Sequence, residues 1–367
     1  MRRLAKVLAV VLALISPVML LWRAPSAAAS GERWIIDSDM GIDDWVSMLY
    51  LSNERGEDIV ALTATGNGLA RCESARRNAV RILQLDDTRV PVGCSHRAPL
   101  DGTNAYPTQW RDQSDQLIGL EVPMAKRPPR LSSTALMKKV LREAKEPMSI
   151  LSLGTMSTIA EVITQSPHLK KKIRRIVAMA GAVDVPGNIR VHGFTDDSPN
   201  TVAEWNLFID PVAAKIVLDS DVPLEIVPLD ATNRAPLTDA FIQRFEQMTS
   251  GADATFVSRV FTQVTSSNDA GEYYHWDPLA AAIAIDPRIC ERRELRRLTV
   301  VADVAGPSTD PQFPDRNWLG EPRNELVEAT AGALTSAGAK RDITVCLRPD
   351  VSRFEERMID AFRRVDR

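Results

Sequence analysis

The chain has 367 residues, 44% of them hydrophobic and 25% charged, the balance of a folded globular protein and not of a disordered or collagen-like one. Its formal charge is −3, from 45 Lys and Arg against 48 Asp and Glu. It lacks the basic surplus that neutralises phosphate, so no nucleic-acid partner is expected.

Residues 1–29 carry Arg2, Arg3, Lys6 and Arg23 and no acid; an apolar run from Val7 to Trp22 follows the basic start and leads to Ala27-Ala28-Ala29. This pattern predicts a signal peptide cut after Ala29, with residues 30–367 exported to the cell envelope or medium and keeping no stable membrane anchor. An uncleaved anchor is the alternative, but a run of about 16 residues containing Pro17 is short for a spanning helix of roughly 20. Loss of the four positive charges takes the formal charge from −3 to −7. Cys72, Cys94, Cys290 and Cys346 fit no zinc pattern. Disulfides and buried free thiols both stay open, because an oxidising compartment permits bridges that a core of this size does not need.

Along the remainder, Arg33 to Asp37 reads as a buried strand, and Asp43 to Ser52 as a helix with Trp45, Met48 and Leu49 on one face. Ile59 to Thr65 is a second strand, ending at Gly66-Asn67-Gly68, and Glu73 to Leu85 a second helix. Val90 to Gly93, Met148 to Leu153, Arg175 to Ala180 and Pro223 to Leu229 continue the strands; a helix follows Gly154 and another spans Pro211 to Leu218. Strands alternating with helices predict a single α/β domain, an open and mostly parallel central sheet flanked by helices. Leu100 to Arg130 is polar, contains four prolines and is too long for an ordinary connection; it reads as a functional loop or lid, and Gly187 to Pro199 is a second loop of this kind.

The most informative stretch is Asp37-Ser38-Asp39-Met40-Gly41-Ile42-Asp43-Asp44. Open α/β sheets bind ligands at the carboxyl ends of their strands, and crowded carboxylates call for a hard, oxygen-liking cation. Asp43 and Asp44 could instead decorate a helix N-terminus, which leaves Asp37 and Asp39 without a reason. An EF-hand loop fails, since Ile42 and Met48 stand where it needs Gly and an acid. A phosphatase of the D-x-D type does not account for the Asp43-Asp44 pair.

The octad resembles the D-x-D-P-G-x-D-D opening of the inosine-uridine nucleoside hydrolases, with Met40 for Pro, a change expected to loosen the loop slightly. The likeness continues in order through Gly66-Asn67, Pro91-Val92-Gly93, Leu153-Gly154-Thr155, Met179-Ala180-Gly181-Ala182, Gly187-Asn188, Ala203-Glu204-Trp205-Asn206, Asp210-Pro211 and Trp276-Asp277-Pro278-Leu279-Ala280. It spans about Trp34 to Pro287 and implies a Rossmann-like fold. It implies Ca²⁺ held by Asp39, Asp44, the Leu153 carbonyl and Asp277, with Asp39 also the general base toward water. Asp43, Asn67, Asn188, Glu204 and Asn206 would bind ribose; Trp276, where the sequence departs from the family, could stack on the base or fill the core. The implied activity is calcium-dependent hydrolysis of the N-glycosidic bond of small-molecule ribonucleosides, in purine or pyrimidine salvage, by a dimer or tetramer. A non-catalytic calcium-dependent riboside binder and a metal phosphohydrolase are the alternatives. Taken alone, Asp277 reads as a helix N-cap before Pro278. The family's acid for the leaving base is a His directly before the late Asp; here Trp276 takes that place and His275 is one residue earlier, so leaving-group acid and preferred base stay open.

Overall fold

Trp34–Ser38 (β1) and Met148–Leu153 (β4) are buried at every position, so both lie mid-sheet under helices on two faces. Ile35 packs to one side of β1, and Trp34 and Ile36 to the other. The structure, a computed structural model, describes residues 31–126, 128–266 and 273–363. The segment read as a signal peptide lies outside them. Glu32–Arg367 forms one compact unit.

With Ile59–Thr65 (β2), Val92–Ser95 (β3), Ile173–Met179 (β5) and Leu224–Val227 (β6), the strands run in the order β3-β2-β1-β4-β5-β6, all parallel. One face is covered by Ile42–Arg55 (α1) and Cys72–Leu83 (α2). Thr108–Asp115 (α3) stands apart from both faces, in the polar segment read as a lid. Ser133–Glu143 (α4), Ser157–Gln165 (α5) and, after the short Trp205–Ile209 (α6), Pro211–Leu218 (α7) cover the other. Leu229–Thr232 (α8), Asp239–Met248 (α9), Ala252–Ser266 (α10) and Trp276–Ile285 (α11) complete the α1 side.

The C-terminal part departs from simple alternation. After Cys290–Arg297 (β7) and Thr299–Val300 (β8), the hairpin Val304–Pro307 (β9) with Asn324–Leu326 (β10), and Leu334–Thr335 (β11), the chain returns as Asp342–Pro349 (β12) and ends in Val351–Phe362 (α12). Strand β12 pairs parallel with β6, and β7 closes the edge antiparallel to β12. The hairpin region reaches across to the root of the long polar segment, where Arg323 donates to the carbonyls of Pro99 and Gly102.

All four cysteines are paired, which excludes the free-thiol reading. Cys72–Cys94 ties the start of α2 to β3, and Cys290–Cys346 crosslinks the neighbouring strands β7 and β12. The strand order reverses between β1 and β4, and the crevice at their carboxyl ends is where such sheets bind ligands. Ser38 and Leu153 are register partners at that end.

Candidate metal and riboside site

The acid octad wraps the switch point. As β1 ends, Met40 takes φ +61°, a value no proline can adopt. The turn is closed by Gly41 N–H donating to Asp39 Oδ1 (3.1 Å) and Asp44 Oδ2 (2.9 Å), and by Met40 N–H donating to Ser38 Oγ (2.9 Å). Ser38 Oγ in turn donates to Asp44 Oδ1. Asp39 is wedged between two backbones that lack side chains: a Cβ on Gly68 would come within 2.1 Å of the Asp39 Cβ, and one on Gly154 within 2.8 Å. No larger residue fits at Gly68 without moving Asp39.

From the far end of the chain, α11 delivers Asp277. Leu279 N–H donates to the His275 carbonyl, so the helix is entered at His275 and Asp277 lies inside its first turn. The N-cap reading of Asp277 is therefore wrong; its carboxylate faces the octad. One carboxylate oxygen each from Asp43, Asp44 and Asp277 lie within 4.8 Å of one another. Burial, and then the charges of its neighbours, hold Asp277 well above the usual carboxylate range. Burial and then the Asp43 charge push Asp44 up to about 7, and burial pushes Asp43 to about 6. Asp39 is likewise raised, by burial and then by Asp44 and Asp43, and its Oδ2 is buried without a hydrogen-bond partner. Oxygen-only donors, mutual repulsion and an orphaned carboxylate oxygen fit a hard divalent cation.

Asp37 faces elsewhere. It accepts from Thr63 Oγ1 at 2.6 Å, and burial pushes it up to about 7.

The polar residues around the acids are held by the fold. Glu204 caps α6, accepting from the backbone N–H groups of Asn206 (2.8 Å), Leu207 (3.3 Å) and, across the crevice, Gly181 (3.0 Å). Burial still pushes it up to about 7. Asn206 donates to the Met179 carbonyl at the end of β5. Asn188 accepts from the backbone N–H of Trp205, which places it at the N-terminus of α6. Asn67 accepts from Thr155 Oγ1 (3.0 Å) and donates to Ser157 Oγ (2.9 Å), which donates in turn to Asp210 Oδ2 (2.6 Å). Sequence reasoning singled out neither Tyr106, whose hydroxyl donates to Asn206 Oδ1 (3.3 Å), nor Asp210 as the buried anchor of Asn67. Asp210-Pro211 carried a cap signature; nothing in the pattern around Tyr106 marked it.

Trp276 packs against Tyr273 (4.8 Å between ring centroids), and its Nε1 is buried without a partner. His275 points the other way, into a cage of Phe241, Phe261 and Phe354 with centroids 5.0, 5.6 and 5.1 Å away, and burial lowers it to about 3. A neutral ring in that cage cannot serve as an acid in the crevice.

A family model described as inosine-uridine preferring nucleoside hydrolase matches residues 34–356. Nucleoside hydrolase 3 of Arabidopsis thaliana is 28% identical over 322 residues, covering 71% of this chain and 36% of its own length. Pyrimidine-specific ribonucleoside hydrolase RihA of Klebsiella pneumoniae is 31% identical over 219 residues, covering 58% of this chain and 65% of its own length. The matched part thus spans under two thirds of either relative. Among solved structures, an inosine-guanosine nucleoside hydrolase superposes with a TM-score of 0.71 at 20% identity, covering 91% of this chain and 99% of the other. The inosine-uridine preferring nucleoside hydrolase of Bacillus anthracis gives 0.67 at 20%, covering 91% and 100%. These likenesses establish the fold.

Proposed function

The chain belongs to the inosine-uridine preferring nucleoside hydrolase family, and on that premise we propose that it is an exported, calcium-dependent N-ribohydrolase that releases free base and ribose from ribonucleosides. The observation that carries this reading is the oxygen-only cluster of Asp43, Asp44 and Asp277 at the switch point, beside the unpartnered Asp39 Oδ2. Asp39, Asp44, Asp277 and the Leu153 carbonyl would hold Ca²⁺. When bound, the ion would acidify a water and fix two vicinal sugar hydroxyls.

The chain's own residues do the rest. Asp39, with its proton affinity raised by burial and by Asp44, accepts the proton of the attacking water. Bond breaking develops positive charge on the sugar, and the crowded carboxylates of a water-poor site stabilise that charge. Asp43, Asn67, Glu204 and Asn206 bind ribose hydroxyls, with Asn188 toward the 5′ end; a deoxy sugar leaves one of these groups unpaired and is disfavoured. His275 does not protonate the departing base. Trp276 lies beside it and offers an indole N–H as a donor. The two disulfides agree with an oxidising compartment, and so with cleavage of residues 1–29 on export. Residues 30–367 then act as one catalytic domain, in a dimer or tetramer.

The test is metal-stripped protein repleted with Ca²⁺ or Mg²⁺ and given inosine, uridine or a nucleoside monophosphate, scored for base, ribose and phosphate. Metal-dependent release of base and ribose is expected. Phosphate release points to a phosphohydrolase, and saturable binding without base release to a riboside-binding protein.

A further inference from the structure

Tyr106 lies against Asn206, one of the residues proposed to bind ribose. It is 6% exposed, stacks on Trp205 with centroids 4.9 Å apart and planes at 21°, and donates its hydroxyl to Asn206 Oδ1 at 3.3 Å. The charges of Asp39, Glu204, Asp43 and Asp44 all act on the phenol. With Tyr106 in place, Asp39, Asp44, Asn67, Glu204, Asn206 and Asp277 are each 6% exposed or less. A sugar cannot reach groups that water scarcely touches, so something must leave before it enters.

The long polar segment is fixed at its root and again beyond Tyr106. At the root, Leu100 N–H donates to Asp210, Arg323 clamps the carbonyls of Pro99 and Gly102, and Asp101 accepts from the backbone and side chain of Asn324. Beyond it, Trp110 leans on Trp205 and Phe194, and Arg111 donates to the Gly66 carbonyl. Arg71 pairs with Asp112 and Asp115, with its own side chain 43% exposed. Farther on the segment is anchored again, since Asp115 accepts from the Arg71 backbone N–H (2.8 Å), the Ser114 and Asp115 carbonyls accept from Asn78, and Leu117 and Val122 are buried; displacement of Tyr106 therefore falls to the short stretch between the two anchors.

We propose that Tyr106 is an internal occupant of the riboside site, a gate whose phenol holds Asn206 until a sugar hydroxyl displaces it. This rests on the ribohydrolase reading above. The segment then competes with substrate, and the sugar must offer Asn206 a better partner than the phenol does.

The test is Tyr106→Phe, which keeps the ring and its stacking and removes only the hydroxyl. One buried neutral hydrogen bond corresponds to about a fivefold change in an equilibrium, so KM for inosine or uridine should fall about three- to tenfold with kcat changed less than twofold. Tryptophan emission should also change on titrating the wild type with D-ribose, as Tyr106 leaves Trp205, and half-saturation should come at lower ribose in the variant. Hydrolysis by both proteins with KM unchanged or raised in the variant overturns the gate alone; a raised KM would make the phenol a substrate ligand. No binding and no hydrolysis by either protein overturns the ribohydrolase reading and the gate with it.

Discussion

Removing the cation should destabilise the protein in a strongly pH-dependent way. In the metal-free chain Asp44 sits at about 7 and Asp43 at about 6, against an ordinary 3.8. Raised folded values mean that the stability linked to these groups is fully present below the ordinary value and is lost as pH rises through 6 and 7. Two to three pK units on one group correspond to about 3–4 kcal/mol. Because the two carboxyls feel each other, the pair is counted once at that size. For a chain of this length each kcal/mol moves Tm by roughly 2–3 °C, so saturating Ca²⁺ should raise Tm by about 6–12 °C at pH 8 and by almost nothing at pH 5. Asp37, at about 7, and Asp210, at about 6, also lose stability over this window, but with and without metal alike, so the difference isolates the cluster together with Glu204, which feels the Asp43 charge. Glu161 and Asp286, at about 2, stay ionised throughout and drop out. Differential scanning fluorimetry of chelated and repleted protein measures the effect. A calcium shift of equal size at pH 5 and pH 8, or none at pH 8, would refute the electrostatic argument.

Asp39→Asn keeps an oxygen beside the site and loses proton affinity; turnover should fall by ~10² or more with a smaller effect on riboside binding, and near-normal steady-state turnover would move the base role elsewhere. His275→Ala should slow turnover less than about tenfold while lowering stability by roughly 2–4 kcal/mol, since the ring fills a cage of three phenylalanines. Loss of purine release with an activated nitrophenyl riboside still cleaved would instead make His275 the acid. Trp276→Ala should harm kcat/KM more than His275→Ala does. Reducing the disulfides, which span 22 and 56 residues, should cost roughly 3–4 kcal/mol each, read as a drop in denaturant midpoint under dithiothreitol; an unchanged midpoint would show the bridges to be idle.

The parallel half of the fold was legible because β1, β2 and β4, and β5 from Ile176 onward, are short, mostly apolar and buried runs. The C-terminal half was not. In β7, Cys-Glu-Arg-Arg-Glu-Leu-Arg-Arg is an edge strand with one face in water, and its charge hides the strand signal. The octad could be read as a cation site because so many acids crowded at one strand end have no cheaper explanation, although one of them, Asp37, belongs to β1 and bonds to Thr63 instead. Tyr106 could not, since its role comes from where a loop folds back. His275 and Trp276 show the same boundary: one residue of helical offset sends the first into a cage of phenylalanines and the second against Tyr273 and Tyr274, and only the observed start of α11 decides which.

The Asp277 backbone N–H donates to Asp43 Oδ2 across 234 residues of chain. A chain emerging from a ribosome or an export channel presents the octad long before Asp277 exists, and a loop of that length must close before the third carboxylate arrives. The three-carboxylate cluster is therefore expected to close late in folding. A cation bound there would act as a latch on a finished molecule, slowing its opening with little influence on how quickly the chain first folds.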